Sequence, residues 1–264
     1  MIVLISKKNI LFVVLLLFMS ITVLSIGLTV NYSKPVTADG NQAPGEGAAP
    51  AAVRTVILDA GHGGEDPGAV SDYSGLKEKD VNLNIIMQLK SMMEKDNYKV
   101  ILTRDSDRLV YTTESNNIIQ KRKEDLTRRK GIMDDSGADL VVSVHLNKFP
   151  QAQYHGAQVF FPPKSDSSKK LADEIQNAIR LNVDNANDRV ALVKKDPIII
   201  LKNLKTTTVV VEGGFLSNAD EEKKLSTEEY QNKLAAAIKL GVDSYYKKGA
   251  NDIQKNQGSA DSSN

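Results

Sequence analysis

The sequence predicts an α/β fold, a three-layer sandwich whose central sheet is mostly parallel or mixed and carries helices on both faces. Three observations predict it. Apolar or β-branched runs recur at residues 53–58, 139–144 and 208–211, amphipathic helical stretches lie between and after them, and strand and helix signals alternate along the chain. The run "DLVVSV" at 139–144 has the unbroken apolar character of a central strand covered on both sides.

Each element has its own signal. Residues 53–58 are a strand ending in Asp-Ala-Gly, and residues 80–94 are a helix with Val81, Ile85, Leu89 and Met92 on one face. Residues 98–102 read as a strand. A long polar helix begins near Asn117 and ends at Ser136, residues 156–161 form a short strand, and residues 166–181 form a helix with Leu171, Ile175 and Ile179 inward. A weaker zone precedes the strand at 208–211. Ser226 with Glu229 forms a capping box for a last helix to Tyr246, whose Tyr230, Leu234, Ile238 and Val242 stripe needs a sheet to cover.

Outside this domain, set at residues 53–248, the composition changes. Lys7 and Lys8, in a cytoplasmic stretch 1–9, precede an uncharged, apolar run at residues 10–30, which at about 1.5 Å per residue spans roughly 30 Å of hydrocarbon. It reads as a transmembrane anchor or signal segment that places the remaining chain outside the cytoplasm, and the lack of a clean Ala-x-Ala site favours the anchor. Residues 31–52 are a polar linker, and residues 249–264 a disordered tail.

Net charge is +1 over 264 residues. Acids and bases are interspersed, which gives no case for a nucleic-acid partner. The basic group Lys121, Arg122, Lys123, Arg128, Arg129 and Lys130 is interrupted by acids and reads as a solvated helix face, with a groove for an acidic polymer as the alternative. With no cysteine, thiolate metal sites, cysteine nucleophiles and disulfides are excluded.

Chemistry points to the strand ends. The chain has three histidines; His62 follows the first strand within "DAGHGGEDPG", and His145 follows the apolar strand ending at Val144. In open α/β sheets, sites form at the carboxyl ends of strands, so two distant histidines can converge there. The glycines do not make a nucleotide loop, because neither Gly-x-Gly-x-x-Gly nor Gly-Lys-Ser/Thr is present. Glu78 stands at the mouth of the helix after the glycine loop, and Glu212 follows residues 207–211 before Gly213-Gly214, a costly place for an unpartnered carboxylate. His, Glu, His and one open position fit a catalytic zinc site, with a further carboxylate available to take a proton from water. His155, in a loop-like region, matches no ligand element.

The segments "ILDAGHGGEDPGA", "GLKEKDVNL", "VILTRDSD", "ADLVVSVHLN" and "VVVEGGFLSNADEEKKL" lie within residues 54–241 in an order that resembles the zinc-dependent N-acetylmuramoyl-L-alanine amidases of the type-3 family, in particular its germination-specific, spore-cortex-modifying members. The resemblance implies one Zn2+ per domain, with His62, Glu78 and His145 as ligands and Glu212 as the catalytic base. It places Asn147 in a His-x-Asn element as an orienting group; Arg104 and Asp107 read as an ordering pair near the next strand end, with a substrate role for Arg104 as the alternative.

It further implies hydrolysis of the amide between the lactyl group of N-acetylmuramic acid and L-alanine, on a peptidoglycan strand bearing peptide stems, as a step toward muramic-δ-lactam in spore cortex. The implied partners are that glycan, the membrane through residues 10–30, and an activating lipoprotein. Two other readings stand beside it: a zinc peptidase acting within the stem, and a non-catalytic wall-binding protein.

Overall fold

The computed structural model describes residues 53–195 and 198–261. Strand β1 (Thr55–Ala60) leads through the glycine loop into helix α1 (Glu78–Lys95), followed by β2 (Lys99–Leu102), α2 (Ile118–Asp135), β3 (Leu140–Asn147), β4 (Gln158–Phe161), α3 (Asp166–Asn182) and β5 (Leu192–Val193). A single 3-10 turn at Ile199–Leu201 precedes β6 (Thr207–Phe215), α4 (Ala219–Leu225) and α5 (Glu228–Asp261). The six strands form one sheet in the order β2-β1-β3-β6-β4-β5. Strands β2, β1, β3 and β6 run parallel; β4 is antiparallel to β6 and parallel to β5. The sheet is therefore mixed, with its parallel part in the middle.

Strand alternation divides the core into two layers. One face of the sheet carries Val56, Leu58, Val142, Val144, Val209 and Val211, packed with Ile85 and Leu89 of α1, Leu171 and Ile175 of α3, and Leu234 and Ile238 of α5. The other presents Ile57, Val141 and Val210 to Met133 of α2 and to Ile200 and Leu201 of the 3-10 turn. Both faces are covered, which is why the central strands read as unbroken apolar runs.

Several boundaries differ from those the sequence predicts, each for a local reason. Helix α1 starts at Glu78, two residues early, so Glu78 belongs to its first turn. Strands β3 and β6 continue past Val144 and Val211, because polar His145 and Glu212 still pair as neighbours in the ladder, with an irregularity in register between His145 and Asn147. Ser226 closes α4 as its C-cap. The first turn of α5 is capped instead by Thr227, whose Oγ1 accepts the Tyr230 N–H at 3.3 Å.

The basic stretch on α2 is not uniformly solvated. Lys121, Asp125 and Arg129, spaced four apart, form a buried stripe, while Arg122 and Lys123 face solvent. The expectation of a membrane partner through residues 10–30 is also corrected. No helix among the described residues is long and apolar enough to cross a membrane. The segment on which that expectation rested lies outside the described residues, as do residues 1–9 and 31–52 and the last three of the tail.

Candidate metal centre

The site is assembled where β1, β3 and the start of α1 meet. Beyond Ala60, the Gly61 N–H still donates to the Val144 carbonyl at 3.0 Å, which carries the β1 backbone alongside β3 to the point where the site begins. His62 then adopts φ +63°, in the left-handed region that non-glycine residues seldom occupy. Its conformation is held from two sides. Arg129 Nη2 donates to the His62 carbonyl at 2.7 Å, and His62 Nδ1 donates to Asp66 Oδ2 at 2.7 Å.

Because the Asp66 carboxylate only accepts, that bond fixes the proton on Nδ1 and turns Nε2 toward Glu78. His62 Nε2 lies 3.2 Å from Glu78 Oε1, and His145 Nδ1 lies 3.0 Å from the same oxygen. The two imidazole centroids are 5.1 Å apart and their planes cross at 78°. One ligand atom from each of His62, Glu78 and His145 lies within 4.8 Å of the others, so the three are positioned to hold a single metal ion.

Glu78 is fitted to this place. It is 3% exposed. Its Oε2 accepts the Ala69 N–H at 2.8 Å, which leaves Oε1 toward both histidines. Burial would raise this carboxyl, but the hydrogen bonds from His145 and His62 outweigh it and hold Glu78 ionised far below the usual carboxylate range. Burial likewise disfavours the imidazolium of His62, yet the bonds to Asp66 and Glu78 raise its pKa to about 9. The pocket thus favours positive charge between the histidines and Glu78. Two nitrogens and a carboxylate oxygen, without sulfur, are a donor set that suits zinc in a catalytic site, where three protein ligands leave a position open.

Around these ligands lies a buried polar layer. Asp59 accepts from Thr103 Oγ1 at 2.5 Å, Ser143 Oγ at 2.6 Å and Arg129 Nη1 at 3.0 Å. Arg129 also binds Asp125 at 2.6 Å and the Ala60 carbonyl at 2.6 Å. Arg104 is 1% exposed and donates to the carbonyls of Ala60, Gly61, Lys79 and Ser106. These bonds clamp the backbone of the glycine loop. Asp107, expected beside Arg104, instead accepts from Lys79 Nζ at 2.6 Å and from the Gly64 N–H at 2.7 Å.

The remaining site residues fall along the same sheet edge. Glu212 is the ladder partner of His145, so the two side chains leave the sheet on the same face. Glu212 Oε1 lies 3.3 Å from Lys194 Nζ, and its buried Oε2 has no hydrogen-bond partner among the described residues. Asn147 ends β3 half-buried, its carbonyl accepting the Leu216 N–H at 2.8 Å. His155 is exposed in the loop before β4.

Sequence reasoning missed Asp66, Asp59, Arg129 and Asn82, whose Nδ2 donates to the Gly61 carbonyl at 3.2 Å. A signal existed for Asp59: an aspartate inside "VILDA" is buried with its strand and needs a buried cation.

A mixed α/β sheet with a His-Glu-His cluster, where two strand ends meet the first turn of α1, fits the class of zinc-dependent hydrolases. A family profile described as N-acetylmuramoyl-L-alanine amidase matches residues 56–244. The germination-specific N-acetylmuramoyl-L-alanine amidase of Bacillus subtilis is 32% identical over 197 residues, covering 75% of this chain and 81% of that protein. Among solved structures, the CwlD amidase from Clostridioides difficile in complex with the GerS lipoprotein is 43% identical, covers 74% of this chain and 98% of its own, and superposes with a TM-score of 0.71. The N-acetylmuramoyl-L-alanine amidase from Clostridium difficile 630 gives 32% identity, coverage of 74% and 97%, and a TM-score of 0.64. The chain belongs to the type-3 N-acetylmuramoyl-L-alanine amidase family, and its activity is amidase action on peptidoglycan.

Proposed function

We propose that the chain cleaves the amide between the lactyl group of N-acetylmuramic acid and L-alanine with His62, Glu78 and His145 as zinc ligands and Glu212 as general base. The observation that carries this is the placement of Glu212 as the ladder neighbour of His145, with one carboxylate oxygen buried and unpartnered. Zinc, when bound, supplies Lewis-acid polarisation of the amide carbonyl and makes the attacking water more acidic. Glu212 takes the proton from that water and passes it to the departing amine nitrogen of L-alanine as the C–N bond breaks. Lys194 Nζ, 3.3 Å from the other oxygen of Glu212, favours one orientation of the carboxylate. Asn147, at the end of β3, orients groups beside His145, and Arg104 acts on the site only through the loop backbone it clamps.

The catalytic unit is assigned to residues 53–248. Similarity supports the proposed cell context: a germination-specific amidase and an amidase solved with a lipoprotein are among the relatives. The proposed substrate is spore-cortex peptidoglycan, the product a stem-free muramic residue ready for δ-lactam formation, the setting extracytoplasmic, and the partner a lipoprotein.

Glu212→Gln in the full chain tests the roles. Turnover of stem-bearing glycan is expected to fall by about 10²–10⁴-fold with zinc content unchanged. Loss of zinc from that variant would make Glu212 a ligand and break the assignment. Mass spectrometry of the wild-type digest is expected to show a new L-alanine amino terminus and a free lactyl carboxyl. Cleavage between stem residues would instead identify a peptidase.

A further inference from the structure

Among the described residues three phenyl or phenol side chains are exposed, Tyr73 at 56%, Phe149 at 42% and Tyr154 at 41%. They are not scattered. Tyr73 lies on the segment between His62 and Glu78, while Phe149 and Tyr154 lie on the segment that leaves β3 just after His145. All three surround the turn that follows β6, the strand of Glu212. The Tyr73 hydroxyl donates to the Ser217 carbonyl at 3.1 Å, and the Phe149 N–H donates to Ser217 Oγ at 3.1 Å. Phe149 meets Tyr154 edge-on with centroids 5.5 Å apart, and both rest on buried Phe215, at 5.2 Å and 6.3 Å.

This surface is built rather than loose. Glu221 accepts the N–H groups of both Gly156 and Phe215, tying the loop of Tyr154 to the strand beneath it. Lys148 reaches back to Asp72 at 2.6 Å and to the Val70 carbonyl at 2.8 Å, tying the loop of Phe149 to that of Tyr73. The three exposed rings are interleaved with Lys148 and Asp72, which pair with each other and put polar groups at the rim of an apolar surface. Their chemistry suits a ligand with a flat apolar face and a rim of hydroxyl and amide groups.

We infer that Tyr73, Phe149 and Tyr154 form a platform on which a saccharide ring of the glycan strand stacks beside the metal centre. This rests on the amidase reading of the site: the scissile amide hangs from a sugar ring by a lactyl ether, so that ring must lie within a few atoms of the ligands. The platform deepens that reading by assigning recognition of the sugar, rather than of the peptide stem, to these side chains.

The test uses the zinc-loaded full chain and a stem-free oligosaccharide of alternating N-acetylglucosamine and N-acetylmuramic acid, with binding measured by calorimetry. The wild type is expected to bind, and Tyr73→Ala and Tyr154→Ala each to weaken binding about tenfold at unchanged zinc content. Phe149→Leu, which keeps apolar bulk over Phe215 and loses the ring, is expected to weaken it as well. If that variant does not fold, Tyr73→Ala decides, since Tyr73 does not pack on Phe215. Absence of wild-type binding, or equal binding by wild type and variants, overturns the platform. So does a matching loss of affinity for a sugar-free stem peptide. Hydrolysis of stem-bearing glycan is followed in parallel. An active wild type with no sugar binding sinks the platform alone, whereas an inactive one that binds through these rings sinks the amidase reading alone.

Discussion

A Cβ on Gly61 would lie 2.2 Å from Cε1 of His145 and 2.5 Å from both of its ring nitrogens. One on Gly68, which adopts φ +68°, would lie 2.6 Å from Glu78 Oε2 and 2.7 Å from His62 Cδ2. Gly61 and Gly68 therefore make room for the metal ligands themselves, while Gly63 and Gly64 make room for the backbone of Arg108 and Leu109. Backbone and imidazole can touch only where no side chain intervenes. Gly61→Ala is expected to push the His145 ring away from Glu78 and lower zinc affinity by at least about tenfold, measured by chelator competition. Zinc affinity equal to that of the wild type would show that the ring has freedom the packing denies it.

At the scale of elements, α2 braces β1 through a buried ion pair. Burial alone would raise the Asp59 carboxyl, but Arg129, with the Ser143 and Thr103 hydroxyls, lowers its pKa to about 2. A carboxyl depressed in the folded state contributes stability that is present above its unfolded pKa and lost as pH falls through the folded value. Here the window runs from about pH 4 down to about pH 2, and the loss is on the order of 2 kcal/mol. Denaturant unfolding of the wild type across that range is expected to show this slope, and Asp59→Asn to lack it. That variant also leaves Arg129 short of a buried partner, so it is expected to be less stable by about 3–5 kcal/mol at pH 7. An identical acid limb in both proteins would remove Asp59 from the account.

For the whole molecule, a metal held by His62, Glu78 and His145 would act as a clasp between β1, β3 and α1, elements that already pack together through the core. A ligand that binds the folded state adds stability by mass action, about 2.7 kcal/mol at a concentration one hundred times its dissociation constant. For a domain of this size that corresponds to a melting shift of roughly 5–10 °C. Adding zinc to chelator-treated protein is expected to raise the melting temperature by about that amount while far-ultraviolet circular dichroism stays constant, because the core of both layers is complete without it. A chelated protein that loses its secondary structure would mean that the metal holds the fold and does not merely occupy it.

The sequence by itself determined the layers and the residues that cluster at the candidate metal site. Periodicity is local, so the alternation of apolar runs and helical stripes identified strands, helices and their order; strand ends in a parallel sheet converge, so His62 and His145 could be matched across 83 residues. Glu78 was legible from its place at the mouth of a helix and Glu212 as a carboxylate in a costly place, and the separate roles proposed for them rest on family motifs. Tertiary structure alone decided the rest. Whether Arg129 is solvated or buried depends on which face of α2 meets β1, and a helix with charges on every side does not announce that face. The bond from Asp66 to His62 needs a left-handed backbone at the histidine, and the pairing of His145 with Glu212 is a matter of register between strands far apart in the chain. Local patterns choose the elements; register and packing choose which polar groups touch.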